Sequence, residues 1–217
     1  MLIDDRMAGN ELSRSEEALR VSLRMGESAI VLGEVRGEEA RTLYQSMRTG
    51  RAGSSIMGTI HGDSARSVFD RVVHDMQIAP EAFMATDVLV TVGTVRDRRA
   101  GGQARKVTEI AATSDRAGEF SDMRDRDAMF SSPVMRRVLS ASGMGRSDIM
   151  AEVSARGDMR AFLADMAARH GDEFFGPEWI ISANDHLAAE LSAGASSPAS
   201  AVESFRRKFR RMNGLEG

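Results

Sequence analysis

The 217-residue chain contains no cysteine, which excludes disulfides, thiolate catalysis and cysteine-ligated zinc. Lysine is nearly absent as well. Only Lys106 and Lys208 occur, and neither lies in a GxxxxGK[ST] stretch, so the chain has no loop of the type whose backbone amides and lysine cradle nucleotide phosphates. Aromatic residues make up 5% of the chain and are sparse near basic ones, so no base-stacking platform forms and no nucleic acid is expected as a partner. No apolar run approaches the roughly 20 residues that span a bilayer. Residues 1–10 lack an apolar export core, and the cytoplasm is the expected location. With 28% charged residues and a formal net charge of -3, bulk electrostatics draw the chain toward neither nucleic acid nor membrane.

What is present is enough apolar content, 42%, for the core of one domain or of one domain with an appendix. The organising stretch runs from Ser28 to Gly62. An aliphatic run, Ala29-Ile30-Val31-Leu32, ends in Gly33-Glu34-Val35-Arg36, and a second run, Ile56-Met57, ends in Gly58-Thr59-Ile60-His61. Strands that stop at polar residues deliver them to the carboxyl edge of a sheet, where α/β folds hold ligands. Two such strands in tandem predict Glu34 and His61 on one rim.

Around that stretch, Ser13 and Glu16 have the spacing of a capping box and predict a helix carrying Leu19 and Leu23. Residues 29–32 read as a parallel strand covered on both faces. Ala40, Leu43, Tyr44 and Met47 predict a helix over residues 38–48, and residues 54–60 predict the second strand. The spacing of Ala65, Val68, Phe69, Val72, Val73 and Met76 predicts an amphipathic helix that ends before Pro80. A short helix over residues 81–85 leads to a strand over 87–92, a polar hairpin at 96–103, and an alternating strand at 106–113. This order is α/β with an antiparallel edge.

Beyond Ser114 the pattern turns helical. One helix is expected from Pro133, others around Ile149 and around Phe162, and a packed segment over residues 179–191. Residues 192–200 have linker composition, and a basic terminal helix follows with Arg206, Arg207, Lys208, Arg210 and Arg211. The basic helix suits either solvent or an anionic surface. The expected organisation is therefore residues 1–113, 114–191 and 192–217.

A carboxylate at a strand end can hold Mg²⁺ through water or orient a nucleophilic water, since phosphoryl transfer depends on placement and charge compensation. Glu34 is the candidate, with Gly33 preceding it and Arg36 placed to reach it or a phosphate; the structural alternative is that Glu34 charges the start of the following helix. His61, with Gly62 behind it, could hydrogen-bond a γ-phosphate or Glu34. His61 with Asp63 offers a more distant metal-hydrolase reading. Asp70 and His74, four apart, share a helix side that suits a solvated surface better than a metal.

Taken together, Glu16-Glu17-Ala18-Leu19-Arg20, IVLGEVRGEEA from Ile30, Met47-Arg48-Thr49-Gly50, GTIHG from Gly58, and Ala85-Thr86-Asp87 resemble the type II/IV secretion ATPases. The likeness is closest to the archaeal pilus and archaellum branch, and it spans about residues 14–113. The resemblance implies a partial RecA-like P-loop core with a mainly parallel sheet, an antiparallel edge hairpin and a helical C-terminal region. It also implies ATP with Mg²⁺, and a hexameric motor working on a membrane-embedded assembly platform at the inner face of the membrane. Residue by residue it makes Glu34 the catalytic glutamate acting with Mg²⁺ through water and His61 the γ-phosphate-linked histidine. Gly33, Arg36, Gly58 and Thr59 then support the ATP site.

The departures are equally specific. The family's P-loop precedes its Walker B box, and this chain has none, so it resembles the C-terminal half of such a motor and is expected to be inactive alone. Asp4 and Asp5 resemble the family's aspartate box, with a short gap to Glu34. Arg51 stands where many members carry a histidine. The competing reading is a non-catalytic interaction module that keeps the motor's assembly faces without a nucleotide site of its own.

Overall fold

A computed structural model describes residues 17, 21, 29–48, 55–97, 102–194 and 197–215. Asp4, Asp5, Arg51, the hairpin tip at 98–101 and, apart from the helical Glu17 and Val21, the helix expected from Ser13 lie outside the described residues. The chain divides into two compact units, residues 1–138 and 139–217. The first continues past Thr113, where a boundary was expected, because a third strand and two helices belong to it.

In the first unit, β1 (Ala29–Leu32) pairs in parallel with β2 (Ser55–Gly58), in the register Ile30 to Ile56 and Leu32 to Gly58. Between them runs α1 (Glu38–Arg48), whose Ala40, Leu43 and Tyr44 are buried as their spacing requires. After β2 comes α2 (Ala65–Asp70), then a π-helical turn (Arg71–Asp75) and the short α3 (Pro80–Phe83). The single helix expected over residues 65–76 thus widens midway: Met76 N–H donates to Arg71 O, five residues back, at 3.1 Å. The turn leaves Gln77 at a positive φ of 54°. Arg41 of α1 holds that residue in place, donating to Met76 O and to Gln77 Oε1, both at 3.2 Å.

β3 (Val88–Asp97) and β4 (Gly102–Thr113) form an antiparallel hairpin to which β5 (Phe120–Asp122) adds a short third strand. Among the described residues the hairpin pairs with β5 and not with β2, so the strands form a parallel pair and an antiparallel triplet. Both sheets nonetheless contribute to one core. Four of the few aromatic residues, Tyr44, Phe69, Phe83 and Phe120, meet there, with Phe83 fully buried and 5.1 Å from Phe69 in a T-shaped contact. Coverage of the parallel pair is one-sided, against expectation. Ile30 faces the core, whereas Val31 and Met57 are 70% and 59% exposed, because the described helices pack on one face only. α4 (Arg126–Ser131) and the start of α5 (Pro133–Ser142) complete the unit.

The second unit is helical: α6 (Arg146–His170), a 3₁₀ turn (Asp172–Phe175), α7 (Pro177–Ser192) and α8 (Pro198–Met212). The two helices expected around Ile149 and Phe162 are one, running through Gly157; a helix-interior glycine costs only about 1 kcal/mol, and packing on both sides of it outweighs that. α8 is no detached tail. Its Val202, Phe205 and Phe209 are buried against Phe162, Leu163 and Leu187, while Arg207, Lys208, Arg210 and Arg211 face outward.

His186 of α7 is a part-buried titratable group, its side chain 11% exposed and its ring tilted against Phe205 at 5.7 Å. Desolvation by burial holds its pKa below the ordinary value; Glu190, 3.6 Å away, and a backbone hydrogen bond with Ala201 pull it up, and Lys208 pushes it further down. The unfolded chain therefore binds the proton first, and the stability that neutral His186 contributes is present above its unfolded pKa of about 6.5 and is lost as pH falls toward the folded value. Thermal melts followed at about pH 7 and about pH 5 should show a larger acid-induced loss for the wild type than for His186→Gln. Equal losses would contradict the assignment.

Candidate functional site

The site is built where β1 and β2 end. Past the last paired residues the backbone stays joined, with Val35 N–H donating to Thr59 O at 2.8 Å. The Thr59 hydroxyl donates to Gly33 O. These two bonds align the segment after β1 with the segment after β2, so the side chains that follow emerge side by side. Gly58 permits this approach: a Cβ there would lie 2.8 Å from Val35 Cγ2.

Glu34 and His61 are consequently neighbours. His61 Nε2 lies 3.4 Å from Glu34 Oε1, and Arg36 Nη1 lies 3.7 Å from Glu34 Oε2. Glu34 is 36% exposed, His61 79% and Arg36 71%, so the carboxylate is flanked by two partners yet open to solvent. At such exposure the ion pairs contribute little to stability. The arrangement leaves a carboxylate and an imidazole free to act on something bound above them.

Beyond His61 the chain is fixed again. Asp63 N–H and Ser64 N–H donate to Ser67 Oγ at 3.0 and 3.1 Å, and Ser64 Oγ caps α2 by accepting from Ser67 N–H at 3.1 Å. The Ser67 hydroxyl and then Asp63's own backbone N–H hold the Asp63 carboxyl below the usual carboxylate range; desolvation opposes them, and Ser64 adds the least. An open hollow of about 600 Å³ adjoins His61, lined by Asp63, Ser67, Asp70, Arg71 and His74. Asp70 bonds Arg66 at 3.1 Å, and among the described residues no three His, Asp or Glu side chains gather as a metal site. The metal-hydrolase reading of His61 with Asp63 finds no third ligand there.

Of the residues singled out from the sequence, Gly33, Glu34, Arg36, Gly58, Thr59 and His61 all come together. Sequence reasoning passed over Glu109, which reaches from β4 to the backbone of Ala65 at the start of α2. Its only sequence signal is a carboxylate on the same alternating face as Ala111 and Thr113, both of which are buried. The fit to a nucleotide is one-sided. A solvent-accessible hard oxygen donor beside two nitrogen donors suits Mg²⁺ water and phosphate oxygens, while the described residues include no phosphate-cradling glycine loop with a lysine.

Gly62 tests how tightly this loop is held, because a Cβ there would sit 2.5 Å from Val68 Cγ2. Gly62→Ala is expected to destabilise the first unit by about 1–3 kcal/mol in urea unfolding, and Val68→Ala in the same chain to relieve part of the loss. A neutral Gly62→Ala would show that the loop gives way freely.

The model of the type II/IV secretion system protein family matches residues 6–128, more than half of the chain. An uncharacterised protein of Methanocaldococcus jannaschii is 25% identical over 153 residues, 65% of this chain and 56% of that protein. The type IV pilus ATPase PilU of Pseudomonas aeruginosa is 25% identical over 148 residues, 63% of this chain and 36% of PilU. The chain thus spans about half of one curated relative and about a third of the other. With the Glu34 and His61 boxes inside the matched segment, the chain belongs to the type II/IV secretion system protein family.

Proposed function

We propose that this chain is the Walker B and histidine-box half of a motor ATPase that drives type IV pilus-like, archaellum or secretion assembly. The carrying observation is the Glu34–His61 pair at 3.4 Å on the rim of two parallel strands. In this reading the RecA-like core is completed by segments outside this chain that bring the P-loop. The uncovered Val31 and Met57 face of the β1–β2 pair supports that, since parallel sheets are ordinarily covered on both sides. The full motor is a hexamer at the cytoplasmic face of the membrane, acting on an embedded platform protein. Similarity to the type IV pilus ATPase PilU supports the pilus-type assignment.

Mechanistically, Glu34 orients the attacking water and receives its proton, and Arg36 keeps the carboxylate turned toward the site. His61 donates a hydrogen bond to the γ-phosphate or to Glu34 and so links the carboxylate to nucleotide state. Thr59 and Gly58 hold these groups in register. Mg²⁺, held by Glu34 through water, would supply charge neutralisation on the phosphates.

The lack of any GxxxxGK[ST] in the chain favours a second reading, a non-catalytic assembly module. Calorimetry of the isolated chain with Mg-ATP distinguishes the two in part, and an open reading frame upstream that encodes the P-loop distinguishes them further. In a protein that includes that segment, Glu34→Gln should lower kcat roughly 100-fold or more while leaving ATP binding intact. Undiminished hydrolysis would refute the role of Glu34.

A further inference from the structure

Glu109 stands on the face of β4 that carries the buried Ala111 and Thr113, where a carboxylate needs partners to be tolerated. Its Oε2 has two: Ala65 N–H donates to it at 2.6 Å and the buried Thr91 hydroxyl at 3.3 Å. Ala65 is the first residue of α2 and is 1% exposed, so its N–H belongs to the set that a helix start leaves without an internal acceptor. A carboxylate is a stronger acceptor than a neutral oxygen there, and its charge is favoured at a helix N-terminus.

The strand is shaped for this contact. Thr91 pairs with Glu109 but Val92 pairs with Val107, so Thr108 is an extra residue in β4, immediately before Glu109. A bulge of this kind redirects the side chains around it. The consequence falls on His61. On one side the chain is tied to the end of β1 through Thr59. On the other it is tied to β4 through Ala65, with Gly62 packed too closely on Val68 to admit a Cβ and Ser64 locked to Ser67. Only residues 60–64 lie between these anchors.

We propose that Glu109 is a positioning residue for His61: by fixing the start of α2 against the β3–β4 hairpin it holds the imidazole beside Glu34. The inference rests on the role of His61 proposed above, and its test does not use ATP hydrolysis, so the two can fail separately. In the isotopically labelled chain, Glu109→Ala should speed amide exchange at Ala65 by about tenfold or more. The nuclear Overhauser contact between the His61 ring and the Glu34 side chain should vanish, while exchange at the core amides of Leu43 and Phe83 stays unchanged. Glu109→Gln, which retains an oxygen acceptor of the same reach, should keep the contact and most of the protection. Retention of both features in Glu109→Ala would overturn the proposal. An equal rise in exchange at Leu43 and Phe83 would overturn it too, because the carboxylate would then only stabilise the fold.

Discussion

The hydrogen bond from Val35 N–H to Thr59 O carries the parallel pairing of β1 and β2 beyond the strands themselves. Everything proposed about chemistry depends on it. Parallel strands rise in step, so aligning the residue after Glu34 with the residue two before His61 sets both side chains on one rim. Without that alignment, a carboxylate and an imidazole 27 residues apart in sequence would have no reason to meet.

The surrounding architecture keeps this short sheet rigid with modest means. A chain with few aromatics concentrates most of them in two clusters, one around Phe83 behind the site and one around Phe205 and Phe209 in the helical unit. The first fixes α1, α2, α3 and β5 against the strands, so the loops that carry Glu34 and His61 leave a fixed frame. The surface ion pairs, such as Arg136 with Asp115 at 2.5 Å, are half-exposed and add little by comparison.

Local pattern made much of this visible. The aliphatic run at Ala29 and the spacing of Leu43, Tyr44 and Met47 give β1 and α1 with their bounds, and GEVR and GTIHG mark the residues that converge. Non-local features stayed hidden. The π turn at Arg71 stayed hidden because a single widened turn, in which Met76 N–H reaches back five residues, leaves the apolar spacing before and after it helical. The apolar groups around Ile149 and around Phe162 read as two helices and are one, because the burial that joins them across Gly157 is tertiary. Glu109 escaped notice because its partner lies 44 residues away and is a backbone amide, which leaves no side-chain motif to read.

The central claim is that Glu34 and His61 act as one unit on the same bound nucleotide. A double-mutant cycle on ATP turnover tests it most directly, with Glu34→Gln, His61→Ala and the pair introduced into a protein that includes the P-loop segment. The claim requires strong non-additivity, the double variant being scarcely slower than the worse single variant. Rate losses that simply multiply would mean the two side chains, though 3.4 Å apart, work independently, and the account would be contradicted.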